Sequence, residues 1–279
     1  MIAFPTCKIN LGLRVPSKRQ DGYHNIETIF YPIPLTDVLE AIRQHESVNQ
    51  SVSFSFSGLP ISGKEEDNLC IKAYYLLKEK FPELPPIQAH LHKVIPMGAG
   101  LGGGSSDGAF MLRLLNQLFS LQLSDEALCE YALKLGSDCP FFIHNSPCYA
   151  EGRGELLEPL SLSLKDYQIA LVYPALHVST AMAFSELNRN TTPIEYSNYL
   201  KDIIRLPITE WKDELVNEFE IPVMKQFPEI AEIKSTLYDA GALYASMTGS
   251  GSTVFALFDK SATFEPDFSD SYFFRMIAE

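Results

Sequence analysis

Runs in which apolar and polar residues alternate open the chain and recur along it. Residues 2–13 read as a strand, with Thr6, Lys8 and Asn10 on one face and Cys7, Ile9 and Leu11 on the other. "SVSFSFSG" (51–58) alternates serine with Val or Phe, the mark of a half-buried strand. "IQAHLHKVI" (87–95) alternates again and runs into Pro96 and a glycine-rich loop. Helical periodicity appears over 67–80, where Asp67 or Asn68 can cap, and over the apolar stretch 110–119. A further helix over 124–136 has Ser124 as N-cap and Gly136 past its end. After about residue 155 the pattern restarts. It gives a strand in "YQIALVYP", a helix in "STAMAFSEL" capped by Ser179, a helix over 228–241 stopped at Gly241, and a strand over 253–258. Strands and helices mixed in this order indicate an α+β fold.

At 279 residues the chain is long for one compact domain and comfortable for two. The restart in the pattern places the division at 1–157 and 158–279. A content of 46% apolar and 20% charged residues is that of a soluble globular protein, and no run is long and apolar enough for a membrane span. A formal charge of −13 argues against general nucleic-acid binding, which uses basic surface, but leaves room for a local anion site. Five cysteines without a CxxC pair suggest neither a disulfide framework nor a zinc site, and the start lacks a signal-peptide pattern. A reducing cytoplasm is the expected compartment.

The chemistry concentrates in "PMGAGLGGGSSD" (96–107), where five glycines fall between Gly98 and Gly104, between a strand and a helix. Backbone N–H groups and a helix N-terminus at such a junction hold phosphate, and glycine permits positive φ and close approach. Gly103 is expected to share that conformation. A Walker A loop fails because Ser105, not Lys, follows Gly104. Gly98-x-Gly100-x-x-Gly103 matches the dinucleotide pattern, but the next segment is another helix rather than a strand. The companions of a protein-kinase loop, VAIK, HRD and DFG, are missing. A phosphate loop of another type remains, with Ser105 and Ser106 as extra donors or magnesium ligands; a purely structural turn is the bland alternative.

These residues resemble a known family. "PMGAGLGGGSSDGA" is similar to the central P-x-x-x-G-L-G-S-S-A motif of the GHMP small-molecule kinases, "KINLGL" (8–13) to their first motif, and "MTGSGSTVFALF" (247–258) to their third. "DGYHNIETIF" (21–30) and "LGSDCPFF" (135–142) narrow the resemblance to members with a cytidylyl substrate. It implies a two-domain α+β kinase, its active site in the cleft between the domains, that moves the γ-phosphoryl group of ATP to a hydroxyl of a small molecule. Lys8 and Asp138 would be catalytic: Asp138 takes the hydroxyl proton, and Lys8 holds that carboxylate ionised. ATP would meet Asn68, Lys93, Pro96, Met97, Gly98, Ala99, Gly100, Leu101, Gly102, Gly103, Gly104, Ser105 and Ser106, and magnesium would be carried mainly by the nucleotide. Asn10, Tyr23, His24 and Phe184 would bind the substrate, the aromatic rings stacking on cytosine.

Each residue has a second reading. Asp138 can cap a turn, Asn68 a helix, and Phe184 can be a core aromatic. Lys8 and Lys93 can be solvated strand lysines. His90 and His92 share a face but lack a third metal ligand. Cys7 stands where the family usually has alanine. Asp107 is an added carboxylate, which repels ATP phosphates unless it faces away or meets magnesium. The alternatives in function are another kinase of the family, acting on homoserine, mevalonate or a sugar, and a non-catalytic nucleotide-binding regulator. The partners expected are small molecules, not nucleic acid or membrane, and the oligomeric state is left open.

Overall fold

The computed structural model describes residues 1–44, 51–190, 198–263 and 268–278. It begins with β1 (Ile2–Ala3), β2 (Thr6–Lys18), β3 (His24–Thr36), β4 (Val38–Arg43) and β5 (Val52–Gly58). Then come α1 (Leu69–Lys80), β6 (Ile87–Lys93), α2 (Gly103–Leu118), α3 (Asp125–Leu135) and α4 (Cys139–His144). The later part holds β7 (Cys148–Glu151), β8 (Leu156–Pro159), β9 (Tyr167–Tyr173), α5 (Thr180–Asn190), α6 (Leu200–Ile203), α7 (Trp211–Glu214), α8 (Glu220–Gln226) and α9 (Pro228–Asp239). It ends in β10 (Tyr244–Met247), β11 (Val254–Asp259) and β12 (Phe273–Ala278).

These elements form two units that interleave along the chain. The first comprises Met1–Cys7, Pro32–Met97 and Gly102–Ser146; the second comprises Lys8–Tyr31, Gly98–Leu101 and Pro147–Glu279. The first unit has one sheet, in the order β1-β4-β6-β5, antiparallel except for the β5–β6 pair. Strict alternation in β6 buries Ile87, Ala89 and Leu91 on one face of that sheet and turns Gln88, His90 and His92 to the other. On the outer face Ser57 bonds both His90 and His92, and Ser55 bonds His90. That polar ladder accounts for the shared histidine face. α1 packs on α2 where Gly108 leaves room, since a Cβ there would lie 2.8 Å from the Cβ of Leu69.

The helix ends follow the local chemistry. Asn68 caps α1 by accepting from the Cys70 N–H at 2.9 Å, and Ser124 caps α3 by accepting from Ala127. α2 departs from its expected start at residue 110. Its first turn is Gly-Gly-Ser-Ser, beginning at Gly103. Apolar periodicity cannot announce a turn made of glycine and serine.

The second unit holds the sheets β2-β3-β7-β8 and β10-β11-β9-β12. α5, α8 and α9 contribute to its apolar core, where Ala183, Val223, Ile230, Ile233 and Leu237 meet Ala170, Val172, Val254 and Ala256. The opening strand removes the second reading of Lys8 as a solvated strand lysine. β2 is buried on both faces from Cys7 to Arg14, so its polar residues lie in the interior. No helix among the described residues is long and apolar enough to cross a membrane.

Candidate active site

The residues singled out from the sequence fall in both units. In the second unit, Lys8 is 3% exposed and Asn10 is 1% exposed. A buried ammonium and amide need partners, because desolvation without them costs several kcal/mol. Lys8 Nζ donates to Asn10 Oδ1 and lies 5.0 Å from the centroid of the Phe30 ring. Asn10 Nδ2 donates to Thr28 Oγ1 at 2.9 Å, and that hydroxyl donates to the Gly12 carbonyl. The Asn10 N–H donates to Thr248 Oγ1 at 3.0 Å. The shared strand face of Lys8 and Asn10 is thus a hydrogen-bonded network. Thr28 and Thr248 complete it. Neither was singled out, although each lies inside a motif that was, "DGYHNIETIF" or "MTGSGST".

The first half of the glycine loop belongs to this network. Gly98, Gly100 and Gly102 have φ of +65°, +82° and +71°, a region open to glycine and costly for other residues. A Cβ on Gly100 would lie 2.2 Å from the Thr248 carbonyl oxygen. The Thr253 N–H donates to the Ala99 carbonyl, and the Lys8 N–H donates to that of Leu101. Asn217 Nδ2 holds the third glycine loop through the carbonyls of Met247 and Gly249, at 2.7 and 2.9 Å. A Cβ on Gly98 would stand 3.1 Å from His177 Nδ1, which brings an unforeseen histidine to the loop.

The second half of the loop opens α2 in the first unit. Gly103 does not take the positive φ expected of it. It is glycine because a Cβ would stand 2.9 Å from Ile95 Cγ2 and 3.2 Å from Lys93 Nζ. Gly104 is less confined, with Met97 Cε 3.8 Å from its virtual Cβ. Pro96 is buried and Met97 half-buried. Ser106 is buried, and its Oγ has no hydrogen-bond partner among the described residues. Buried hydroxyls are rarely left so. That orphaned donor at a helix N-terminus, behind a cradle that side chains would fill, fits an anionic phosphate.

Asp138 directly precedes α4. Its side chain makes no capping hydrogen bond to that helix. The neighbouring Cys139 thiol is pushed up to about 12, chiefly by burial and also by the Asp138 charge, against a hydrogen bond from Ser105.

Lys93 and Asp107 meet. Lys93 Nζ lies 2.8 Å from Asp107 Oδ2 and 2.5 Å from Asp37 Oδ2, with its side chain fully buried. Burial alone would lower the lysine's pKa, but the two carboxylates raise it above the usual value. Burial, helped by the Asp37 charge and opposed by Lys93, pushes the Asp107 carboxyl well above the ordinary range. Asp107 thus faces an ammonium of the protein itself, the alternative to facing away or to meeting magnesium. Among the described residues no group of three or more His, Cys, Asp and Glu is placed to hold a metal.

On the aromatic side, His24 and Phe184 stack on each other, with centroids 4.6 Å apart and an interplanar angle of 14°. Phe184 also meets the buried Phe219 edge-on at 4.8 Å. Tyr23 is 58% exposed, with the Arg153 guanidinium 5.0 Å from its ring centroid. Arg153 is another residue the sequence did not single out.

Residues 68–146 match the GHMP kinases N terminal domain, and residues 200–265 match the GHMP kinases C terminal domain. The chain is 55% identical over 258 residues, 92% of each chain, to the 4-diphosphocytidyl-2-C-methyl-D-erythritol kinase of Bacteroides fragilis. It is 51% identical over 274 residues to the protein of that name in Parabacteroides distasonis, covering 98% of this chain and 97% of the relative. A crystal structure of 4-(cytidine 5'-diphospho)-2C-methyl-D-erythritol kinase matches with a TM-score of 0.77 at 30% identity, over 92% of this chain and 90% of that one. A Methanococcus jannaschii mevalonate kinase matches with a TM-score of 0.71 at 14% identity, over 94% of this chain and 92% of that one, a likeness of fold. The α+β expectation and the resemblance in motifs hold across nearly the whole length: the chain belongs to the GHMP kinase family.

Proposed function

We propose that the protein transfers the γ-phosphoryl group of ATP to a hydroxyl of 4-diphosphocytidyl-2-C-methyl-D-erythritol, a step in non-mevalonate isoprenoid synthesis in the cytoplasm. What carries the reading is the 55% identity, over 92% of both chains, to a relative named as the kinase of that compound. Residues 1–157 are assigned to nucleotide binding and 158–279 to a substrate-side domain.

Phosphoryl transfer asks the protein for positioning, charge neutralisation and a place for the hydroxyl proton. Backbone N–H groups of residues 98–106 and the N-terminus of α2 neutralise phosphate charge. The Ser105 and Ser106 hydroxyls are the chain's own candidates beside a magnesium ion that arrives with the nucleotide. Asp138 accepts the proton of the attacking hydroxyl. Lys8, oriented by Asn10, supplies positive charge near the transferred group, and Asn10 bonds a substrate hydroxyl. Tyr23, His24 and Phe184 form the aromatic surface for cytosine, with Tyr23 the ring left open to stacking.

ADP formation tests the substrate. Turnover with the cytidylyl compound should far exceed that with homoserine, mevalonate or galactose. Asp138→Asn tests the chemistry. Both substrates should still bind, and kcat should fall by about 10²–10⁴. Near-normal turnover in a stable Asp138→Asn protein would remove Asp138 from the mechanism.

A further inference from the structure

Lys93, Asp37 and Asp107 form a buried cluster that joins three segments of the first unit. Lys93 is the last residue of β6, Asp37 lies between β3 and β4, and Asp107 lies in the second turn of α2. Asp37 works on two fronts. Its Oδ2 takes the Lys93 ammonium, and its Oδ1 accepts the N–H groups of Val94 at 2.6 Å and Ile95 at 2.9 Å. Lys93 reaches on to Asp107 Oδ2 at 2.8 Å. Its Nζ also lies directly beneath Gly103, the first residue of α2.

The connectivity gives the cluster its meaning. The glycine loop runs from Pro96 to Gly104. Residues 93–95, at its entry, are gripped by Asp37; residues 103–107, at its exit, are gripped through Lys93. One ammonium therefore holds both ends of the loop. A cation beneath a helix N-terminus is unfavourable by itself, and two carboxylates cancel that penalty. With its side chain fully buried, this ammonium is not offered to an incoming phosphate.

We propose that Lys93 is a positioning residue: with Asp37 and Asp107 it sets the spacing between the two ends of the glycine loop, and acts on nucleotide through that loop rather than by touching it. This rests on the reading that the loop binds ATP. Asp107 thereby gains a role, as the anchor on α2 of the same clamp.

Three variants separate this from a direct contact with ATP: Lys93→Met, Asp107→Asn, and both together. Two readouts apply: ATP affinity by calorimetry, and hydrogen exchange of the amides of residues 97–106 in the nucleotide-free protein. Lys93→Met leaves the Asp37 and Asp107 carboxyl groups facing each other without a cation, so that they either share a proton or repel. It should loosen the loop amides and weaken ATP binding about tenfold or more. Asp107→Asn keeps the Lys93–Asp37 pair, so it should show the same changes, smaller, in a protein that folds normally.

The double variant decides. An asparagine at 107 can donate to Asp37 without a cation between them, so loop protection and most of the ATP affinity should return. Lost affinity with unchanged exchange in the free protein, and no recovery in the double variant, would make Lys93 a nucleotide ligand and overturn the clamp. Unchanged affinity and exchange in Lys93→Met would overturn it as well. If the wild-type protein bound no ATP, the failure would lie in the nucleotide reading, and loop exchange alone would still report on the clamp.

Discussion

Two buried lysines sit on two strands, each a short step from a glycine loop, and their surroundings differ. Lys93 is clasped by two carboxylates, one of which also ties down backbone. Lys8 donates to an amide and lies over an aromatic ring, within a network of threonine hydroxyls. A lysine held by two carboxylates is a fastener. An amide and an aromatic ring are among the groups that hold the Lys8 ammonium. Burial alone does not tell the two lysines apart.

The comparison breaks first on kinetics. Lys8→Met should lower kcat by about 10²–10³ with little change in the KM for ATP. Lys93→Met should raise the KM for ATP and spare kcat. Steady-state rates at saturating substrate separate the two, and a shared pattern would dissolve the distinction.

A smaller effect comes from the exposed aromatic surface. Tyr23→Ala should weaken binding of the cytidylyl substrate by about 1–3 kcal/mol, roughly 5- to 150-fold, and leave ATP affinity unchanged. Titrations of both ligands check this. A loss confined to ATP would mean that the two nucleotide pockets have been exchanged.

Next comes the network around Lys8. Thr248→Val leaves the Asn10 N–H buried without its acceptor. It should cost about 1–3 kcal/mol and lower the melting temperature by a few degrees. Calorimetric melting measures it. An unchanged melting temperature would show that water replaces the hydroxyl.

The smallest effect is in pH dependence. The Asp107 carboxyl titrates above its ordinary value in the folded protein, so the folded state holds more protons than the unfolded chain in the range between them. Stability from this group is therefore present at acid pH and lost as pH rises toward about 8. Lys93, Asp37 and Cys70 face it. Lys93 and Cys70 are themselves raised and titrate above that window. Asp107→Asn should remove the slope, so its melting temperature should gain on the wild type between pH 5 and 8. Parallel profiles would place the proton elsewhere.

What could be read in advance follows from the range of the forces involved. Asn68 and Ser124 cap helices through bonds two and three residues away, and sequence pattern reaches that far. The alternation in β6 predicted its buried face because one side of that sheet packs and the other is solvated. β2 broke the same rule, since both its faces are covered and polar residues inside it are paired rather than exposed. The fate of Lys93 depends on Asp37, 56 residues away, a partner no local pattern names. The edge strand β12 and the short strands β7 and β8 passed unread because pairing, not periodicity, defines them. The family motifs led to the neighbourhood of the network but not to Thr28, Thr248 or Asn217, which support it from within those motifs or beyond them.

The contact between Gly100 and Thr248 spans 148 positions of the chain. A ribosome releases the glycine loop long before it releases the residues that hold the loop's first half. The loop emerges with its backbone donors unheld, and α2 can form behind it, but Ala99 and Gly100 have nothing to rest on until Thr253 has left the exit tunnel. Assembly of this site therefore waits on residues made long after the loop itself. A chain stopped short of residue 247 would carry every residue of the central motif and still lack the surface that shapes it.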